Sequence, residues 1–229
     1  MQASATAFLL AQIVASLLVA ILSFLLIVPV WMHFNAFNGH CALYSEAFSN
    51  SSKTPYPTSV SWSNGSACDF AIVLGIMALS VSVMSVVALS VRLYQGVEST
   101  LLSTIANTLV SMLFTILSLA GAASLTSGFV AWCSSLENAS KFQDKCRVIS
   151  YGFTIPGVID NGSSFYIDLS IAKFGAWLLF GVWMCSSAMT GSRLYFLHRK
   201  ESIFVGLKRE WERVFPFGKS TQYKPVTEL

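Results

Sequence analysis

Four long apolar runs dominate this sequence, and each is long enough to cross a lipid bilayer as an α-helix. The runs cover residues 8–31, 70–91, 101–132 and 171–191. A hydrocarbon core needs about 20 apolar residues in helical form, and backbone groups in lipid must bond within their own segment. Only 11% of the residues are charged, against about 25% in a soluble domain. The sequence therefore predicts an all-α membrane protein with four transmembrane helices in a bundle.

The polar segments between the runs set the predicted organisation of the chain. In order, it has a cytosolic N-terminus at 1–7, a first span at 8–32, an extracellular loop at 33–69, a second span at 70–91, a cytosolic loop at 92–100, a third span at 101–132, a second extracellular loop at 133–167, a fourth span at 168–192 and a cytosolic tail at 193–229. Residues 1–7 contain no Lys or Arg, so we expect an uncleaved first span rather than a signal peptide.

The distribution of basic residues predicts the orientation. Eight of the 14 Lys and Arg residues follow the fourth run, and Arg92 lies in the link between the second and third runs. The two loops on the other side carry four basic residues: Lys53, Lys141, Lys145 and Arg147. Loops rich in Lys and Arg stay in the cytosol. Both termini and the Arg92 link are therefore predicted to be cytosolic.

Four glycosylation sequons agree with that orientation. The asparagines that fit the N-x-[ST] pattern are Asn50, Asn64, Asn138 and Asn161. All four lie in the two loops assigned to the outside, where N-linked glycans are attached. The sequence therefore predicts a glycoprotein with glycans on its outer loops.

Cysteines also cluster in the predicted outer loops. Cys41 and Cys68 bracket the first loop, and Cys133 and Cys146 lie in the second. An even set of cysteines in an oxidising compartment predicts two disulfides, and four cysteines allow three pairings. Pairing Cys41 with Cys68 and Cys133 with Cys146 is favoured because each bond then closes one loop. The alternative is unpaired thiols.

Several motifs carry a resemblance to a known family. They are FLLAQ at 8–12, FNGHCALYSEAF at 37–48, GFVAWC at 128–133 and VIDNGSSFYIDLSIAKFGAW at 158–177. In this order and spacing they resemble the transmembrane protein 179 family of four-span membrane proteins, over residues 8–183. The resemblance implies a multi-pass topology with outer cysteines and no catalytic motif. The tetraspanin Cys-Cys-Gly and claudin-type Gly-Leu-Trp-Cys-Cys signatures are absent, although small disulfide-tied loops are similar to claudin architecture.

Three polar residues in or near the spans are candidate functional groups. Ionisable residues inside a membrane are functional candidates by default. Lys173, however, lies about one turn inside the predicted outer boundary and five residues from Asp168, so its stem can reach the interface. Asn107 in the third span is expected to form helix–helix contacts. Transport along a path lined by these three residues is the alternative.

The sequence carries no recognisable enzymatic motif, so we expect no catalytic activity and no cofactor. His33 and His40 flank the first loop without nearby carboxylate or thiolate partners, and we expect ordinary polar surface there rather than a metal site. Nothing in the sequence indicates nucleic-acid binding.

The tail contains signals for cytosolic contacts. Ile203, Leu207, Trp211 and Val214 recur at helical spacing among basic residues, which predicts an amphipathic helix on the anionic inner leaflet. The terminal residues Thr227, Glu228 and Leu229 match the hydroxyl-x-hydrophobic ending that a PDZ domain binds as an added strand. The segment around Tyr223 is similar to a tyrosine sorting signal.

Together these features favour a non-catalytic accessory subunit or adaptor of a larger channel, receptor or adhesion complex. The predicted partners are the lipid bilayer, another integral membrane protein contacted through helices or outer loops, and a cytosolic PDZ protein. A small oligomeric transporter or channel and a membrane sorting factor are the alternatives. The plasma membrane is the expected location, and an endosomal or secretory membrane would have the same topology.

Overall fold

The protein folds into four long helices and one short hairpin. The computed structural model describes residues 2–48, 59–95, 101–139, 146 and 165–200. In chain order the elements are α1 (Gln2–Ala36), β1 (Glu46–Phe48), β2 (Ser59–Ser61), α2 (Ser66–Gln95), α3 (Leu101–Ala139) and α4 (Phe165–Lys200). Each helix is long and apolar enough to cross a membrane. The predicted four-helix membrane fold is confirmed.

The helices extend beyond the predicted spans. α3, at 39 residues, is about 58 Å long at 1.5 Å per residue, roughly twice the thickness of a hydrocarbon core. It continues past Trp132 to Ala139, so Cys133 and Asn138 lie on its last turns rather than in a loop. A sequence read by hydropathy locates the apolar part of a helix, whereas the backbone hydrogen bonds continue into the polar flanks.

The four helices form an up-and-down bundle in which chain neighbours are also spatial neighbours. α1 packs extensively against α2 and α4, and α3 packs extensively against α4, whereas the α2–α3 contact is the least extensive of the four. Residues 96–100 separate α2 from α3, and a connection this short makes the two helices antiparallel. Leu26, Leu74, Phe114 and Leu179 are among the buried side chains of the common core.

Glycines allow the closest helix approaches. A Cβ at Gly75 on α2 would lie 2.5 Å from Cγ1 of Ile27 on α1, and one at Gly175 on α4 would lie 3.2 Å from Cβ of Leu25. Small residues at such positions let membrane helices approach until their backbones are close. Packing within the bundle therefore accounts for these glycines.

A compact cap, defined as residues 37–48 and 59–65, covers one end of the bundle. β1 and β2 pair antiparallel within it, with Glu46 opposite Ser61. α1 ends in a turn where Gly39, at φ +81°, donates its N–H to the Phe34 carbonyl at 2.9 Å, a conformation that suits glycine. At the opposite end of the bundle, the terminal end, α1 and α3 begin and α2 and α4 end.

Candidate functional site

Two disulfides fix the cap end. Cys41 in the cap bonds to Cys68 in the first turn of α2, and Cys133 on α3 bonds to Cys146. Cys41 and Cys68 are fully buried. The structure thus contains the pairing that the sequence favours, and each bond closes one segment between helices.

An aromatic cluster joins the cap to α3 and α4. Trp62 of the cap stacks on His40 with 5.1 Å between ring centroids and lies 6.3 Å from Trp132 of α3. The Trp62 ring also meets Phe37 edge-on at 5.6 Å, and Phe165 of α4 lies 6.4 Å from Trp132. Such offset and edge contacts add to the stabilisation that burial alone provides. The cap is therefore a packed extension of the bundle.

Hydrogen bonds attach the cap to the far part of α3. The Ala47 N–H donates to Oγ of Ser135 at 2.7 Å. The Tyr44 hydroxyl donates to the Ser124 carbonyl at 3.2 Å and hydrogen-bonds the Ser127 hydroxyl. Tyr44 also approaches Gly128, where an added Cβ would lie 2.8 Å from its ring. These contacts place the Tyr44 ring over one flank of α3.

An open groove lies beside Tyr44, between α2 and α3. It has a volume of about 490 Å³. Most of the lining side chains are small and two are aromatic, and together with Asn64 the lining residues are Tyr44, Ser63, Ser66, Ala67, Phe70, Ala120 and Ser124. Tyr44 remains 45% exposed and Phe70 37% exposed. The groove thus combines small side chains on both helices with two partly exposed aromatic rings, and it lies along the least extensive helix contact.

His33 departs from the surface position expected for it. It is 1% exposed, its ring lies 4.5 Å from that of Phe37, and neither ring nitrogen has a hydrogen-bond partner within the described residues. His40 is exposed and stacks on Trp62. Burial of His33 follows from its place on the inward face of α1, one turn before Phe37. Over the described ranges, no three His, Cys, Asp or Glu side chains form a group that could hold a metal ion.

The three intramembrane polar candidates do not form one site. Lys173 lies near the cap end with its ammonium 4.9 Å from the Phe129 ring centroid. Asn107 lines a cavity with Thr190 and Arg193 at the terminal end. Because Lys173 and Thr190 are 17 residues apart on α4, about 25 Å of helix separates these two regions. Asp168 lies in the first turn of α4, at the same end of the bundle as Lys173.

The predicted glycosylation sites fall into two groups. Asn64 and Asn138 are exposed at the cap end, and Oδ1 of Asn64 accepts a hydrogen bond from the Ser66 hydroxyl at 2.8 Å. Asn50 and Asn161 lie outside the described residues. So do the amphipathic segment around Trp211, the sorting signal at Tyr223 and the terminal triplet Thr227, Glu228 and Leu229.

The fold now defines the class: a four-helix membrane protein with a small disulfide-tied β-hairpin cap, which is a claudin-like arrangement. A family model described as the transmembrane protein 179/179B claudin domain matches residues 8–215. The chain therefore belongs to this family, and the resemblance found in the sequence motifs is confirmed. No solved structure matches the chain.

The family description adds the claudin relationship that the motifs alone did not carry. The claudin-type Gly-Leu-Trp-Cys-Cys signature is absent here. At the cap, Trp62 precedes Cys68, which is bonded to Cys41. The architecture therefore reflects the claudin relationship more directly than the signature does.

Sequence reasoning missed the groove beside Tyr44. The neighbouring small residues Gly121 and Ala122 are buried within the bundle. Ala120 and Ser124 line the groove instead. The available signal was their spacing of four residues, which places both on one face of α3.

Proposed function

We propose that this protein is a non-catalytic auxiliary subunit that holds another integral membrane protein of a larger complex. The observation that carries the proposal is the α2–α3 groove beside Tyr44. In lipid, helices associate through close packing and interhelical hydrogen bonds rather than through the hydrophobic effect. A groove lined by Ala120, Ser124 and Ala67 offers the close approach that such packing requires.

The cap supports this proposal because it makes the groove rigid. Tyr44 forms one wall of the groove, and its hydroxyl is bonded to α3 at Ser124 and Ser127. The Cys41–Cys68 bond holds the preceding cap residues against α2. A surface that is already ordered loses less entropy when a partner binds. The proposed partner is a transmembrane helix with its adjoining outer segment, which would contact Phe70 and Tyr44 together.

The first experiment measures the mass and composition of the tagged full-length protein purified from its native tissue in mild detergent. We expect a companion membrane protein at fixed stoichiometry. Ala120→Leu and Ser124→Leu, which fill the groove, should remove the companion. Ala188→Leu is the matched control, because Ala188 is an exposed helical residue on α4 that lies away from the groove.

Two results would contradict the proposal. A lone particle or a homo-oligomer would shift the interpretation towards transport. A companion that survives both groove-filling variants would show that it binds elsewhere. Size-exclusion profiles of the variants separate loss of the companion from loss of folding.

The same proposal extends to the tail and the location. We infer that both termini are cytosolic, because the basic residues after the fourth run favour the cytosolic side, and the plasma membrane is the location we propose. A PDZ protein would then bind the free carboxylate at Leu229. Removal of Leu229 from the full-length chain should abolish PDZ capture and leave the groove-bound companion in place. Capture that persists after this deletion would contradict the PDZ assignment.

A further inference from the structure

A second, polar cleft opens at the terminal end of the bundle, about 25 Å of helix from the cap end at Lys173. Its mouth has a volume of about 100 Å³ and a narrower inner part of about 30 Å³. The two parts share Gln12, Asn107 and Thr190 among their lining residues, so they form one continuous cleft. A cavity needs roughly 10–15 Å³ to hold one water molecule, so the mouth can hold a group the size of phosphate.

The polar lining follows helical periodicity. On α4, Trp183, Ser186, Thr190 and Arg193 all line the cleft, at intervals of three, four and three residues. This spacing places them on one face of the helix, directed towards the other three helices. Polar side chains in a membrane bundle that line a cavity rather than face lipid mark candidate ligand or ion sites.

The mouth of the cleft is positively charged. Arg92 of α2 and Arg193 of α4 both line it, and no acidic side chain does so within the described part of the chain. The Arg193 guanidinium carbon lies 4.8 Å from the ring centroid of Phe8. Arg92 is half-buried and has no hydrogen bond or ion pair with any of the residues that the structure describes. A half-buried guanidinium with five donors favours an anion with several acceptor oxygens.

The inner end of the cleft carries an independent sign of a missing partner. Trp183 lines this part and is only 6% exposed. Its indole N–H is buried and has no acceptor among the described residues. A buried donor without an acceptor loses its hydrogen bonds to water without replacement, so an oxygen atom, from a ligand or from water that accompanies it, would restore a hydrogen bond to the indole.

We propose that this cleft binds the phosphate group of an anionic phospholipid. Arg92 and Arg193 would bind the phosphate oxygens, and the Asn107 amide would donate to the rest of the headgroup. The Thr190 hydroxyl, which donates to the Ser186 carbonyl at 2.9 Å, would accept from a headgroup hydroxyl. Basic pockets between membrane helices on the cytoplasmic side are suited to anionic headgroups, and the orientation predicted from the basic residues places this end there. Ala88 lines the mouth and is exposed, so the cleft is open laterally to the acyl region.

The test is native mass spectrometry of the full-length protein in mild detergent. Phosphatidylinositol bisphosphate is the probe, phosphatidylcholine the neutral comparison and inorganic phosphate the soluble comparison. We expect the anionic lipid to remain bound to the wild-type protein and phosphatidylcholine to be lost. Arg92→Gln and Arg193→Gln should each weaken the apparent affinity about tenfold, as expected for loss of one charge-assisted hydrogen bond.

Arg199→Gln is the matched control, because Arg199 is an exposed residue of α4 that does not line the cleft. Ala88→Trp should block the mouth and weaken lipid binding although Arg92 and Arg193 are both retained. The test therefore does not depend on the folding of the arginine variants. Equal weakening by Arg199→Gln, or equal retention of phosphatidylcholine, would overturn the proposal. Displacement of the lipid by millimolar inorganic phosphate in the wild type would overturn the lipid assignment and assign the cleft to free phosphate. Loss of the groove-bound companion would not affect these results.

Discussion

Gly128 of α3 lies directly against the ring of Tyr44 in the cap. A Cβ at Gly128 would come within 2.8 Å of Cε2 of Tyr44 and 3.0 Å of Cβ of Leu43. The Tyr44 N–H donates to the Gly128 carbonyl at 3.4 Å. Cap and helix are thus in backbone contact at this point, and the absence of a single side chain makes the contact close.

We predict that Gly128→Ala destabilises the protein by about 1–3 kcal/mol, the usual cost of overpacking. The Tyr44 ring cannot turn aside freely because its hydroxyl is bonded to α3. Thermal unfolding in detergent measures the effect. Gly181→Ala is the matched control, because Gly181 is also helical but has nothing within 4 Å of its Cβ position; it should be neutral or slightly stabilising. Equal effects of the two substitutions would contradict this prediction.

We predict that the two disulfides differ in the stability they provide. Cys41 and Cys68 are 27 residues apart, and Cys133 and Cys146 are 13 apart. Chain-entropy arguments give about 3.5 kcal/mol for the longer loop and about 3 kcal/mol for the shorter. Burial of Cys41 and Cys68 adds to the first loss. Paired Cys→Ala variants, compared by melting temperature, should therefore rank with Cys41/Cys68 as the larger loss, and the reverse order would be evidence against the argument.

We predict that His33→Leu stabilises the protein by about 1–3 kcal/mol. The buried imidazole has no hydrogen-bond partner within the described residues, and replacement of such a group by an apolar side chain of similar size removes its desolvation cost. Chemical or thermal unfolding provides the measurement. His40→Leu, at an exposed ring stacked on Trp62, should give no comparable gain. A loss of stability in His33→Leu would indicate a partner for the imidazole outside the described segments.

We predict that Lys173→Gln lowers stability by about 0.5–2 kcal/mol, through loss of the cation–π contact with Phe129. Lys173→Arg should retain that contact. Surface delivery and melting temperature of both variants provide the measurement. Ion or solute flux that disappears in Lys173→Gln, with normal folding and delivery, would instead support the transport alternative.

We predict that Asn64 has two separable roles, in glycosylation and in the start of α2. Asn64→Asp removes the amide nitrogen that a glycan needs but retains the oxygen that accepts from Ser66, so it should lose one glycan and keep its stability. Asn64→Ala should lose the glycan and about 1 kcal/mol, the usual net contribution of a hydrogen bond such as the one that Ser66 donates to Asn64. Glycosidase-sensitive gel mobility and thermal unfolding distinguish the two. A wild-type protein without a glycan at any of its four sequons, from a cell that glycosylates, would contradict the predicted orientation.

Local features of the sequence were enough to predict the helices and the disulfide pairing of Cys41 and Cys68. The spans follow from the thickness of the bilayer and from the need to satisfy backbone hydrogen bonds in lipid. The helix ends were less accessible, because α3 continues through polar residues to Ala139. Hydropathy does not indicate the residue at which helical hydrogen bonding ends outside the membrane.

The groove at Ala120 and the cleft between Arg92 and Arg193 depend on which helices meet. From the sequence alone, Arg92 is one of the basic residues expected in a cytosolic loop, and Arg193 is the first residue of a basic tail. Only the packing of α2 and α4 around a shared polar interior brings them to one cavity. The sequence by itself determined the number of spans, their apolar character and the cysteines available for bonding, because these depend on neighbours along the chain. The tertiary structure decided which helix pair stayed open and where the charges converge, because side-chain packing between distant segments sets both.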